Sequence, residues 1–178
     1  TLILTPISHL FQNKLDLESI SLASDEFEAR ERTSKLRLPN TTHYHIDFDL
    51  NIGLSEDQKE FLKQHVRDRE DIHTLTFQAS RDCEQVKVIN GQYFPNSRPI
   101  SSNHQIDNIN NSISIITDIV GSHRSIGIEN NNYYQTGAYD ICTSMNFFEE
   151  VFNKTKLHLL FDMAHAIVTC HNRSLNED

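Results

Sequence analysis

SIGIE at residues 125–129 and LHLLFD at residues 157–162 are two short apolar runs, and each ends on an acidic residue. Continuous apolar runs of this length are typical of parallel strands that helices cover on both faces. Between them, residues 146–154 (NFFEEVFNK) place three phenylalanines and Val151 along one stripe of a helix. The order strand, helix, strand predicts a βαβ unit, the building block of parallel sheets.

The same alternation extends towards the N-terminus. Residues 43–50 (HYHIDFDL) and 72–78 (IHTLTFQ) are predicted strands. Residues 56–66 are a predicted helix that Ser55 caps, with Gln58 completing a capping box. A second helix is predicted over residues 106–120, directly before SIGIE. The pattern therefore continues as repeated strand and helix pairs.

The spacing of the predicted strand ends supports such repeats. His45 and Gln78 are 33 positions apart, and Glu129 and Asp162 are separated by the same interval, close to the ~30 residues of one βαβ unit. The interval from Gln78 to Glu129 is longer, and its excess falls in residues 82–102. We predict that this segment is a long loop over the strand ends.

Residues 1–7 and 19–28 are further candidate strands, which brings the total to about six. A complete (β/α) barrel has eight strands in ~250 residues. We therefore predict an α/β fold: one incomplete TIM-type barrel domain over residues 1–178. On this interpretation the chain is either truncated after Asp178 or lacks internal residues.

Composition excludes several classes of function. With 25 acidic residues against 16 lysines and arginines, and a net charge of −9, the chain offers no basic surface for nucleic acid. Its three cysteines show no CxxC spacing, which favours a reducing cytoplasm over a disulfide framework. No apolar run approaches the ~20 residues that span a bilayer, so we expect no membrane contact.

The strand ends carry the candidate metal ligands. The carboxyl ends of parallel barrel strands meet at one rim, so Glu129 and Asp162 should lie close together, and His165 in DMAH can join them. Carboxylate and imidazole ligands suit iron, manganese or zinc. His171 could supply a further ligand or orient one, and His45 shares one strand face with Asp47.

Each of these residues also has a plainer interpretation. Asp162 could simply cap the next helix, which would leave His165 an ordinary loop histidine. Glu129 could form a salt bridge to a lysine or arginine across the barrel. His45 and Asp47 could lie on an edge that faces solvent.

Three stretches resemble the multinuclear non-heme iron-dependent oxidase family, which belongs to the xylose isomerase-like barrels: residues 126–141 (IGIENNNYYQTGAYDI), residues 147–152 (FFEEVF) and residues 159–172 (LLFDMAHAIVTCHN). The resemblance implies metal ligands at Glu129, Asp162, His165 and His45. It implies a divalent metal, with iron first and zinc or manganese as alternatives. The family has a histidine near the end of the fourth strand, where this chain has Gln78.

The resemblance further implies an enzyme that uses dioxygen to modify a side chain, often cysteine, of a small peptide that a partner protein presents. Relatives within the broader superfamily include sugar isomerases and epimerases and zinc-dependent apurinic endonucleases, and the acidic surface argues against the last. A metal-dependent isomerase or epimerase for a sugar-like small molecule, with Glu129 as base or ligand, is therefore the alternative enzyme. A third hypothesis is a catalytically inactive barrel that acts as a binding module.

Overall fold

Strands and helices alternate along the chain, as the sequence predicts. A computed structural model describes residues 3–7, 14–31 and 38–174. Its elements are β1 (Leu4–Pro6), α1 (Lys14–Ala23), β2 (Glu26–Arg30), β3 (Thr41–Asp49), α2 (Glu56–His65), β4 (Thr74–Gln78), β5 (Val86–Ile89), β6 (Gln92–Pro95), α3 (Ser102–Val120), β7 (Ser125–Glu129), α4 (Met145–Lys154), β8 (His158–Leu160) and α5 (Met163–Ser174).

Six of the strands form one parallel sheet in the order β1-β2-β3-β4-β7-β8. The sheet is a half-barrel, and this confirms the predicted partial TIM-type barrel. Strands β5 and β6 form a separate antiparallel hairpin. Among the described residues, no helix combines the length and the apolar character that crossing a bilayer requires.

Alternating side chains give the sheet one apolar and one polar face, because successive residues of a strand point to opposite sides. The apolar face packs against α2, α3 and α4 in the main core, which includes Tyr44, Ile46, Leu62, Leu75, Phe77, Ile109, Ile116, Ile128, Phe147 and Val151. The opposite face, here called the polar face, carries Glu28, His43, His45, Asp47, Thr76, Gln78 and Glu129.

Serine caps set the start of the covering helices. Ser55 accepts a hydrogen bond from Gln58 N, and the Gln58 side chain accepts one from Ser55 N, which confirms the predicted capping box. Ser101 is the N-cap of α3 and accepts a hydrogen bond from His104 N. This helix therefore begins at Ser102, four residues before the predicted start at residue 106. Ser144 accepts from Phe147 N and caps α4.

Two local predictions were wrong. Residues 19–28 were predicted as a strand, but α1 runs to Ala23 and β2 begins at Glu26, so the pattern spanned the end of one element and the start of the next. Strand β8 was predicted to be buried on both faces, yet Leu159 is 46% exposed. Residues 1 and 2 of the predicted strand 1–7 lie outside the described residues, and β1 occupies Leu4–Pro6.

The predicted loop over residues 82–102 contains the β5–β6 hairpin. The hairpin is tied to the chain that follows β7: Tyr93 N donates to the Tyr139 hydroxyl over 2.6 Å, and Thr136 Oγ1 donates to Tyr93 O over 2.6 Å. Asp82 N donates to Ala138 O over 2.7 Å. These contacts hold the hairpin beside the carboxyl ends of the strands.

Candidate metal site

The carboxyl ends of β7 and β8 bring three predicted ligands together. Glu129 is the last residue of β7, Asp162 follows β8, and His165 lies in the first turn of α5. One ligand atom from each lies within 4.8 Å of the others. The parallel pairing of Glu129 with Leu160 sets this geometry, because it places the end of β8 and the start of α5 beside Glu129.

Asp162 both caps α5 and belongs to the cluster. Its Oδ1 accepts a hydrogen bond from His165 N over 2.9 Å, which is a helix N-cap bond. Its Oδ2 lies 3.7 Å from His165 Nε2. The plainer interpretation of Asp162 as a cap is therefore correct, and it is compatible with a ligand role because the carboxylate has two oxygens.

Two of the three consecutive asparagines after β7 hold Asp162 and His165 in place. Asn130 Oδ1 accepts from Asp162 N over 2.6 Å, and Asn130 Nδ2 donates to Asp162 O over 2.8 Å. Asn132 Oδ1 lies 3.1 Å from His165 Nδ1. If Nδ1 carries the proton, it donates to Asn132 and leaves the Nε2 lone pair facing the Asp162 carboxylate. Such support is typical of metal-binding histidines.

Glu129 is a buried carboxylate, 5% exposed. Burial raises its pKa above the ordinary value, and the negative charge of Asp162 adds to the rise; the charges of His45, His165 and Arg30 oppose it. A bound cation would offset the cost of burying this charge. Two carboxylates and an imidazole are also a suitable donor set for a divalent transition metal, so the residues present fit such an ion.

His45 borders the cluster from the neighbouring part of the sheet. It lies on β3, which pairs with β2 and β4 and is therefore not an edge strand, and its side chain is fully buried. Its Nε2 is 3.4 Å from Glu129 Oε2, about the spacing of two atoms that share one tetrahedral ion at ~2.1 Å each. His171 is exposed on α5 and is not a member of the three-residue cluster.

Glu129 forms no salt bridge with a lysine or arginine among the described ion pairs; its partner there is His45. Gln78 also contacts this group. Its amide Nε2 lies 3.4 Å from Glu129 Oε2, 3.3 Å from His45 Nε2 and 3.2 Å from Asp47 Oδ1. Gln78 thus connects Glu129 on β7 with His45 and Asp47 on β3.

Three polar-face residues that connect to His45 were not predicted from the sequence: Glu28, His43 and Thr76. His43 Nδ1 lies 3.1 Å from Glu28 Oε2, and His43 Nε2 lies 2.7 Å from Thr76 Oγ1. The same hydroxyl is 2.9 Å from His45 Nδ1. The available signal was the alternation of polar and apolar residues on β2, β3 and β4, which places these side chains on one face.

A cavity of about 550 Å³ opens beside the site at the ends of β3 and β4. Asp47 and Gln78 line it and also contact the His45 and Glu129 group. Further polar walls come from Asp49, Ser80 and Arg81, and Tyr93 of the hairpin contributes an aromatic ring. A cavity of this size accommodates a small-molecule ligand.

Two solved structures show similarity over nearly the whole chain. The 3-keto-D-glucoside 4-epimerase YcjR from E. coli, in its apo form, has a TM-score of 0.60 at 14% identity, with 98% of this chain and 76% of that chain covered. A D-tagatose 3-epimerase-like protein has a TM-score of 0.55 at 17% identity, with 91% and 66% covered. The chain shares its fold with these two proteins.

At these identities the similarity establishes the fold alone. No family model matches the chain, and no curated protein matches it. The chain spans about three-quarters of the first structure and two-thirds of the second. The partial barrel fold predicted from the sequence is thus confirmed, while the resemblance to the iron oxidase family remains a prediction.

Proposed function

We propose that the protein is a divalent-metal-dependent epimerase or isomerase that acts on a sugar-like small molecule. One observation carries the proposal: Gln78 contacts Glu129 of the three-residue cluster and also lines a polar cavity, so it connects the cluster to that cavity. The fold shared with two epimerase or epimerase-like proteins supports the same class.

In this proposal Glu129, Asp162 and His165 hold the ion, and His45 is a further ligand. A bound divalent metal polarises a substrate carbonyl or hydroxyl. Epimerisation next to a carbonyl requires removal of a proton from carbon and its return, so no net oxidation occurs. Burial raises the pKa of Glu129 in the metal-free protein, and a bound cation would oppose that rise, so Glu129 is assigned here as a ligand of the ion.

The cavity suits a polyhydroxylated substrate. Asp47, Asp49 and Gln78 offer hydrogen-bond partners of both kinds, while Tyr93 offers a ring face. Arg81 Nε lies 3.5 Å from Asp49 Oδ2, and Arg81 Cζ lies 5.7 Å from the centre of the Tyr93 ring. These contacts hold the side chains of this cavity wall in fixed positions. Such a lining matches sugar hydroxyls better than an apolar ligand.

Metal analysis and proton exchange test this function together. The untagged protein, loaded separately with Mn²⁺, Zn²⁺ or Fe²⁺, is incubated in D₂O without oxygen with a panel of ketoses and 3-keto-glucosides. We expect about one or two bound ions per chain and deuterium at the carbon next to the carbonyl. Glu129→Gln and Asp162→Asn should lower metal affinity by more than about 100-fold and abolish exchange, whereas the exposed-surface variant Glu149→Gln should behave as wild type.

Two results would contradict the epimerase proposal. If the protein bound the metal but no sugar of the panel exchanged its proton for deuterium, the ion would serve some function other than epimerisation of such sugars. Full metal content in both Glu129→Gln and Asp162→Asn would favour the binding-module hypothesis, because the cluster would then hold no ion.

An iron oxidase is the second candidate, and the residues 126–141 and 159–172 that resemble that family favour it. It differs from the epimerase in its use of oxygen and in a peptide substrate presented by a partner protein. Iron as the retained metal, together with oxygen consumption on addition of cysteine-containing peptides, would support the oxidase. Turnover that continues without oxygen supports the epimerase.

A further inference from the structure

A continuous row of polar contacts crosses the polar face from Glu28 to His45, which lies beside Glu129. Its members are Glu28, His43, Thr76 and His45, and successive members are 2.7 to 3.1 Å apart. Glu28, His43, Thr76 and His45 are all buried, so water does not substitute for these partners freely. The direction in which each group donates therefore depends on the next group in the row.

We infer that Glu28, His43 and Thr76 are positioning residues that hold His45 as its Nδ1–H tautomer, with the Nε2 lone pair directed at the Glu129 site. Glu28 sets the direction of the first hydrogen bond, because a carboxylate only accepts hydrogen bonds. His43 Nδ1 must therefore carry a proton and donate to Glu28 Oε2. In a neutral ring His43 Nε2 is then a bare acceptor.

Thr76 determines in turn which group donates in its hydrogen bond with His45. Its hydroxyl has a single proton, which it donates to His43 Nε2, so Thr76 Oγ1 can only accept from His45. His45 Nδ1 consequently carries the ring proton. His45 Nε2 then carries the lone pair, 3.3 Å from Asp47 Oδ1 and 3.4 Å from Glu129 Oε2. Both carboxylates would accept a proton from Nε2, so the row from Glu28 acts against them in the metal-free protein.

Gln78 supports the same tautomer from the other side of the ring. The Gln78 amide faces two carboxylates, Asp47 and Glu129, so its NH₂ group must point towards them. The same nitrogen lies 3.3 Å from His45 Nε2. An amide nitrogen does not accept hydrogen bonds, so it offers no partner to a proton on Nε2, although its two protons cannot serve all three neighbours at once. Gln78 Oε1 accepts from Asn131 Nδ2, which is consistent with this orientation.

The position of Arg30 predicts what a Glu28→Gln substitution does. Arg30 Nε lies 2.5 Å from Glu28 Oε1, so the glutamine carbonyl oxygen should remain beside the guanidinium. The glutamine NH₂ group then faces His43 Nδ1 and donates to it. Each later bond reverses, and His45 becomes the Nε2–H tautomer, which has no lone pair for a metal.

Nitrogen NMR on metal-free protein tests the tautomer directly. With ¹⁵N-labelled histidine at a pH of about 8.5, above the ordinary histidine pKa of ~6.5, His45 should show a protonated Nδ1 and a bare Nε2. Glu28→Gln should exchange the two signals. Thr76→Val should remove the fixed preference, and Thr76→Ser, which keeps the hydroxyl, should restore it. Glu26→Gln removes a carboxylate from the same strand outside the row and should leave His45 unchanged.

Wild-type His45 with a protonated Nε2 would overturn the inference, as would an unchanged His45 tautomer in Glu28→Gln. The wild-type spectrum needs no variant, so the test survives a substitution that fails to fold. That the His45 Nε2 lone pair binds a metal rests on the proposed function. Zn²⁺ titration tests this separately: Glu28→Gln should weaken Zn²⁺ binding by about 10- to 100-fold. The expected tautomer without any Zn²⁺ binding would reject the metal function and retain the positioning row.

Discussion

At the scale of single residues, two buried glutamates on the polar face have opposite pKa shifts. Burial alone would raise the pKa of Glu28, but the hydrogen bond from His43 and the nearby positive charges outweigh burial and hold the pKa below its ordinary value of 4.5. For Glu129 burial prevails, and the pKa is raised above 4.5. The two groups should therefore change stability with pH in opposite directions.

The direction in which stability changes with pH depends on whether the folded or the unfolded state binds the proton more tightly. Ionised Glu28 contributes stability that is fully present above pH 4.5 and is lost as the pH falls through its lower folded pKa. The free-energy difference between wild type and Glu28→Gln should therefore shrink below pH 4.5. Urea unfolding of metal-free protein between about pH 7 and pH 3.5 measures this difference, and a constant difference across that range would contradict it.

Glu129→Gln serves as the control of opposite sign. The folded state holds the Glu129 proton more tightly than the unfolded state, so wild type loses stability relative to this variant as the pH rises from 4.5 through the folded pKa. The same unfolding series should show that trend. Parallel curves for the two variants would mean that burial does not distinguish the two carboxyl groups.

At the scale of secondary-structure elements, Arg124 joins the end of α3 to the turn between α2 and β4. Its buried guanidinium donates to Arg69 O over 2.7 Å, to Ile72 O over 3.0 Å and to Arg67 O over 3.2 Å, and it also donates to Val120 O. Each of these carbonyls would lose a partner if the guanidinium were removed.

Arg124→Met should therefore lower the free energy of unfolding by about 2–4 kcal/mol, because unsatisfied buried polar groups cost ~1–3 kcal/mol each and relaxation recovers part of the loss. Arg67→Met is the matched control, since the Arg67 side chain is exposed and only its backbone carbonyl accepts from Arg124. That variant should stay within ~0.5 kcal/mol of wild type. Equal losses in the two variants would show that Arg124 acts only as a surface charge.

The elements also show what the sequence could predict. SIGIE and the helix before it were found because their apolar patterns are long and separate, and both occur close to the predicted positions. Residues 19–28 were misread because α1 and β2 lie only two residues apart, so one pattern covered both. The proximity of Glu129, Asp162 and His165 was predictable, since parallel strand ends converge. The Glu28 to His45 row depends on the register between β2, β3 and β4, which composition does not encode.

At the scale of the whole molecule, burial is uneven across the sheet. Strands β3 and β4 lie in the middle and contribute fully buried side chains such as Tyr44 and Phe77. At the β8 end, α5 has no buried residue, and Phe161 and Ile167 are 59% and 63% exposed. Since Glu129 lies on well-packed β7 while Asp162 and His165 lie at this end, an ion held by all three would cross-link the β8 end to the rest of the sheet.

Amide hydrogen exchange should reveal that cross-link. Without metal, amides of β8 and α5 should exchange faster than those of β3 and β4, because few buried contacts oppose local opening. Addition of Zn²⁺ at 100 times its Kd should slow exchange in β8 and α5 by up to about 100-fold, the effect of ~2.7 kcal/mol of ligand stabilisation. Exchange in α2, which packs on the opposite face, should not change, and Glu129→Gln should remove the slowing. A Zn²⁺ effect that is absent from β8 and α5, or that persists in Glu129→Gln, would mean that the ion does not connect these two parts of the sheet.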